Sequence, residues 1–187
     1  NSGKILATSL FCITLCSINF GNLVNLALQK ALIQDTIFIS FDPNYRHLLF
    51  PNETQTFIDQ SWNFLQSCHF FKLSDEEAML ITNTHAVTDA AQILLDKTNA
   101  VFCITLGKEG TLLGLKGKTE IIPSIPVQPV DTTGAGDAFV GSFAYALASG
   151  KDPIDAMKFG VSIASFSVTR KGAQSSYPHQ AEIATLS

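Results

Sequence analysis

The sequence predicts an α/β fold, a doubly wound and mostly parallel sheet with helices on both faces. Three observations predict it. The strand signals are short continuous apolar runs rather than apolar–polar alternations, as suits strands covered on both faces. Amphipathic helical patterns stand between these runs, giving the order of a doubly wound domain. Toward the C-terminus, an extended segment passes through a glycine-rich turn into a helix, DTTGAGDAF at 131–139, and such a turn opens a helix N-terminus.

The first strand is predicted at 5–9, inside a stretch from Ile5 to Leu28 that holds no charge and follows Lys4. A leader or membrane span would look similar, but Asn19, Gly21, Asn22 and Asn25 break the apolarity. The stretch therefore reads as a buried strand with its loop up to Leu15, and then a helix at 22–32. A strand follows at 36–42, a helix at 53–65, a strand at 70–73, a helix at 88–97 and a strand at 101–106. Ser74 and Glu77, spaced as Ser-x-x-Glu after a strand, form a capping box at a helix start. Runs at 111–115 and 120–122 on either side of Lys116, Gly117, Lys118 and Thr119 read as a hairpin. Pro123, Pro126 and Pro129 keep 121–130 extended, and Ala138, Phe139, Val140, Phe143, Ala144 and Leu147 give the next helix its apolar face. Asp152 as N-cap and Pro153 at the first position start a last helix running toward Gly172. No repeat, low-complexity tract or linker interrupts the chain, so 1–187 is read as one domain.

With 187 residues, 46% of them hydrophobic and 15% charged, the chain is long enough for a sizeable core. Its net charge of −4, without a basic cluster, argues against nucleic acid or an anionic membrane as the main partner. Small molecules are the expected partners. Cys12, Cys16, Cys68 and Cys103 lie among apolar neighbours without CxxC spacing, which reads as buried reduced thiols in a cytoplasmic protein. His47, His69, His85 and His179 form no zinc or triad pattern.

The chemistry concentrates at 134–137. Backbone N–H groups of Gly134, Ala135 and Gly136 would face outward with no bulky side chain before them, and the helix dipole adds positive potential. Such a turn holds an anion. Asp137, in the first turn of the helix, could take the proton of a hydroxyl attacking a phosphate. A glycine-rich turn with an Asp near a helix start also occurs with no such role, so the flanking sequence decides. Two other motifs fail on residue type. Gly117-Lys118-Thr119 ends like a P-loop, but its first glycine would fall on Leu112; the third glycine of a dinucleotide fingerprint would fall on Phe139.

The flanks resemble a family. DTTGAGDAFVGSF from Asp131, followed by VTRKGAQ from Val168, is similar to the C-terminal signature of the ribokinase/PfkB carbohydrate kinases. SFDPNYR from Ser40, KLSDEEA from Lys72 and ITLGKEG from Ile104 resemble family segments in the family's order, and the DPNYR and SDEEA variants lean toward fructokinases. The resemblance implies a ribokinase-like fold and ATP-dependent phosphorylation of a sugar hydroxyl, with ATP, Mg2+ and K+. It implies a catalytic base at Asp137, which also contacts the substrate, with the anion hole at Gly134, Ala135 and Gly136.

It also implies nucleotide contacts at Thr105, Gly107, Lys108 and Gly110, a loop that by itself reads as a turn. Ser74 and Glu77 stand where relatives use an Asn-x-x-Glu pair to organise magnesium and phosphate through water; Ser74 departs from that pattern. Asn44 and Arg46 fall where similar kinases face the substrate, although an Asp-Pro turn explains the segment equally well. Asp131, Thr133, Arg170, Gly172 and Ser176 align with a monovalent-cation site, with main-chain oxygens at Thr133, Arg170 and Gly172 and side-chain oxygens at Asp131 and Ser176. Without the resemblance, Lys171-Gly172 reads as a helix C-cap. Val161 stands where relatives often place Asn against the adenine.

Family members carry a sugar-binding section with a Gly-Gly motif and a lid sheet ahead of this region; neither is recognisable here. The chain opens at Asn1, and the expectation is a domain incomplete at its N-terminus, inactive alone toward sugars, whose complete form is a homodimer. Alternatives are a noncatalytic nucleotide-binding module, a family kinase acting on another sugar or nucleoside, and an export or membrane role for the first 28 residues.

Overall fold

The structure, a computed structural model, describes residues 8–11, 26, 28–30, 32–33, 38–45, 52–115 and 117–185. Among these residues six strands, β1 (Thr8–Phe11), β2 (Ile39–Asp42), β3 (Phe70–Ser74), β4 (Val101–Thr105), β5 (Thr111–Leu115) and β6 (Lys118–Ile122), follow one another across the sheet in chain order. β1, β2 and β3 are parallel, with Leu10 opposite Phe41 and Phe41 opposite Phe71. β5 and β6 are neighbours joined by two residues, which forces them antiparallel. The α/β class with a mostly parallel sheet is therefore as predicted. Of the predicted strand at 5–9 only Thr8 and Ser9 are among the described residues, as are only Leu26, Leu28, Gln29, Lys30 and Leu32 of the helix at 22–32, all helical. Arg46, Cys12 and Cys16 lie outside them.

The chain divides into two compact units, Asn1–Ile104 with Gly114–Thr119, and Thr105–Leu113 with Glu120–Ser187. The first holds helices α1 (Thr54–Leu65), α2 (Asp75–Thr82) and α3 (Val87–Lys97). α1 buries Phe57, Ser61, Phe64 and Leu65, a helical spacing that makes one apolar stripe. Phe64 stacks on Phe41 of β2 with ring centroids 4.7 Å apart, and Trp62 donates from its indole to the Ile81 carbonyl of α2 at 3.0 Å. β3 buries Phe70, Phe71, Lys72 and Leu73 in succession, so both of its faces are covered, as expected of a strand that does not alternate apolar with polar residues. In β5, a Cβ at Gly114 would fall 2.2 Å from the Phe102 ring of β4, a ring that itself stacks on Phe71 at 5.1 Å. Burial pushes the Cys68 thiol up to about 12 and raises that of Cys103 too, so both are inert apolar fillers.

The second unit holds α4 (Ala135–Ala148), α5 (Pro153–Ser167) and a short α6 (Gln180–Ile183). α4 and α5 pack closely because Gly160 leaves room for Phe139; a Cβ at Gly160 would meet that ring at 2.9 Å. Asp152 caps α5 as predicted, its carboxylate accepting from the Ile154 and Asp155 amides. Two boundaries differ from prediction. β6 starts at Lys118, because Gly117 (φ +75°) completes the reversal two residues earlier than expected. α5 ends at Ser167 rather than near Gly172. There the Val168 carbonyl takes the amides of Val130 and Asp131, at 2.7 and 3.1 Å, and ties the extended segment to the helix end.

Candidate functional site

Gly134 begins α4 with φ +78°, a left-handed conformation that favours glycine. Space demands glycine too, since a Cβ there would sit 2.9 Å from the Ala173 side chain and 3.0 Å from the Tyr177 hydroxyl. The expectation of three outward amides is corrected at one position: the Ala135 N–H donates to the Thr132 carbonyl at 3.2 Å. Among the described residues the amides of Gly134, Gly136 and Asp137 find no protein acceptor, the ordinary condition of a first helical turn. Asp137 is exposed beside them. Together these make a cluster of N–H donors at the positive end of a helix with a carboxylate at its rim, which can receive a phosphate and accept a proton.

Asp131 folds the neighbouring loop onto this turn. Its carboxylate accepts from the Thr133 amide and the Gly172 amide, each at 2.9 Å. These bonds favour the ionised form and hold the carboxyl at about 2, the Thr133 hydroxyl first, then the amides of Gly172 and Thr133. Gly172 has φ +86°, but with α5 ending at Ser167 it belongs to a loop and is not the cap of that helix. Ser176 is fully buried, and its hydroxyl donates to the Ala173 carbonyl at 2.7 Å. The carbonyls of Thr133, Arg170 and Gly172 accept no hydrogen bond among the described residues. The Arg170 guanidinium turns the other way, over the Phe166 ring and onto Glu182, whose carboxyl it holds at about 2.

Thr105 ends β4, and a 3₁₀ turn at Gly107–Glu109 follows, with Gly107 and Lys108 exposed. The loop closes through the Leu106 amide donating to the Gly110 carbonyl at 2.8 Å, and the Ser124 hydroxyl donates to the Lys108 carbonyl. This loop is in the same compact unit as the Gly134 turn. Val161 is buried in α5 and packs in the core instead of presenting a polar edge.

The remaining expected residues belong to the first unit. Ser74 and Glu77 close the predicted capping box: the Ser74 hydroxyl accepts from the Glu77 amide at 3.1 Å and the Glu77 carboxylate from the Ser74 amide at 2.8 Å. The second oxygen of Glu77 takes the Tyr45 amide at 2.6 Å, so this buried carboxylate draws the loop after β2 onto the start of α2. Asn44 sits in that loop at φ +46°. Tyr45 is fixed further by stacking on Phe57 at 4.1 Å. Lys72 of β3 pairs with Asp42 at 3.4 Å, both side chains largely buried. Sequence reasoning missed this pair, although an unexpected Lys inside an apolar run was its visible signal. It also missed Tyr177, which nothing in the local sequence sets apart.

Comparison with known proteins gives one family. The pfkB family carbohydrate kinase pattern matches residues 8–180. A ribokinase of Haemophilus influenzae is 40% identical over 114 residues, covering 58% of this chain and 37% of that protein. A deoxyribokinase of Salmonella typhi is 34% identical over 162 residues, covering 82% of this chain and 52% of that protein. The solved structure of a fructokinase double mutant from Vibrio cholerae O395, in a form with fructose, ADP and potassium ion bound, superposes with a TM-score of 0.80 at 28% identity, over 88% of this chain and 55% of that one. The chain thus spans about half the length of the curated relatives it matches.

Proposed function

This chain belongs to the pfkB family of carbohydrate kinases, and from that membership we propose that it carries the nucleotide-binding and catalytic part of an ATP-dependent kinase acting on a sugar hydroxyl, with fructose the first candidate. The observation that carries the reading is the start of α4, where open amides at Gly134, Gly136 and Asp137 adjoin an exposed carboxylate. The γ-phosphate of ATP rests on these amides, which hold the charge that builds on the transferred group, each worth about 3 kcal/mol if it behaves like other oxyanion donors. Asp137 accepts the proton of the attacking hydroxyl. The loop from Thr105 through Gly107 and Lys108 to Gly110 follows the nucleotide, and Asn44 and Arg46 contact substrate or phosphate. Fructose is favoured by the DPNYR and SDEEA segments, while ribose and deoxyribose stand beside it because relatives acting on them match as well.

The donor set fits a potassium ion. Asp131, the buried Ser176 hydroxyl and the unbonded carbonyls of Thr133, Arg170 and Gly172 are all oxygens, and all lie in the loops flanking the anion turn. These residues would hold it. Magnesium commonly uses one or two carboxylates with substrate phosphates and waters. Both Glu77 oxygens already take amides, so Glu77 fits such an ion through water. When bound with the nucleotide, magnesium neutralises phosphate charge.

The full-length gene product incubated with ATP, magnesium and potassium, against fructose, ribose and deoxyribose, tests the proposal by coupled detection of ADP. Transfer to fructose above the others supports it. Transfer to another of the sugars keeps the kinase and moves the substrate. ATP binding without transfer to any leaves a noncatalytic nucleotide-binding module, and absence of both rejects the reading.

A further inference from the structure

The segment from Gly172 to Tyr177 holds the anion turn at two points. One is the Asp131 carboxylate on the Gly172 amide. The other is the Tyr177 hydroxyl, which donates to the Gly134 carbonyl at 3.3 Å. That carbonyl also accepts the Ala138 amide at 2.9 Å, the first helical hydrogen bond of α4. Tyr177 therefore touches the carbonyl of the Gly134–Ala135 peptide, the first of α4, which directly precedes the peptides that carry the Gly136 and Asp137 amides. Its hydroxyl oxygen also occupies the space beside Gly134 that a side chain would need.

We propose that Tyr177 is a positioning residue of the phosphate site: its hydroxyl clamps the Gly134 peptide and so aims the amides that receive the terminal phosphate of ATP. The inference rests on the kinase reading above. A tyrosine phenol carries its proton at neutral pH, so the hydroxyl is available as the donor to the Gly134 carbonyl. Phenylalanine would preserve the ring and its packing and remove only the donor. The turn would then lose one of its two tethers.

The test compares the unsubstituted protein with Tyr177→Phe, measuring by calorimetry the affinities for ADP and for a non-hydrolysable ATP analogue in magnesium, with the thermal midpoint of each protein. The hole reads the terminal phosphate alone. Tyr177→Phe should therefore shift the ratio of the two dissociation constants against the triphosphate by about three- to tenfold, the worth of one hydrogen bond. ADP affinity and the thermal midpoint should stay nearly unchanged. An unchanged ratio overturns the assignment, and so does an equal loss for both nucleotides with a lowered midpoint, which is the mark of a purely structural tyrosine. If the unsubstituted protein binds neither nucleotide, the kinase reading itself falls and the inference goes with it.

Discussion

Gly107 and Gly110 stand in one loop and are glycine for different reasons. At Gly110 (φ +117°) a Cβ would lie 2.2 Å from the Ile122 carbonyl, whereas at Gly107 (φ +57°) nothing stands within 4 Å. Gly110→Ala should therefore cost about 3 kcal/mol in urea unfolding, by strain and backbone clash together, and Gly107→Ala only about 1 kcal/mol. Equal costs would show that the loop yields. In the complete enzyme, Asp137→Asn should leave the fold and ATP affinity in place and lower turnover by about 10² to 10⁴, the usual worth of a positioned base; near-normal steady-state rates would remove that role. The glycines of the α4 turn were legible in the sequence because φ and close approach are written in residue type. The engagement of the Ala135 amide and the contact from Tyr177 were not, since both depend on where a distant or neighbouring backbone group comes to rest.

At the scale of elements, α2 gives the clearest case of a local signal with a long-range use. Ser-x-x-Glu predicts a capping box and the box forms, yet Glu77 also accepts the Tyr45 amide 32 residues away. Ser74→Ala should cost about 1 kcal/mol, the loss of one cap. Glu77→Ala should cost clearly more, about 2 to 3 kcal/mol, because it strands the amides of Ser74 and Tyr45. Denaturant midpoints for the two variants decide this, and a smaller loss for Glu77→Ala would mean that water replaces the carboxylate. Helix and strand interiors were readable from periodicity and apolar runs. Ends were less so: α5 stops at Ser167 where the Val168 carbonyl is claimed by Val130 and Asp131, partners more than thirty positions away that no local pattern announces.

For the whole molecule, Asp131 and Glu182 have carboxyls held at about 2, against an ordinary value near ~4. A carboxyl lowered on folding contributes stability that is fully present above the unfolded value and is lost as pH falls through the folded one. Stability should thus decline between about pH 4 and about pH 2, and Asp131→Asn should flatten part of that slope in acid unfolding; an unchanged slope would show that the Thr133 and Gly172 bonds do not persist in solution. Potassium should raise the thermal midpoint over choline at equal ionic strength by ordering the loop from Arg170 to Ser176, and identical midpoints would reject that site. The α/β class was legible because covered strands and intervening helices leave marks along the chain, but the division into two units was not. The first unit takes Gly114–Thr119 from beyond a stretch that belongs to the second. During synthesis, therefore, the ribosome must deliver Thr119 before the first unit has all its parts, and Thr105–Leu113 leaves the exit tunnel well ahead of the body it joins.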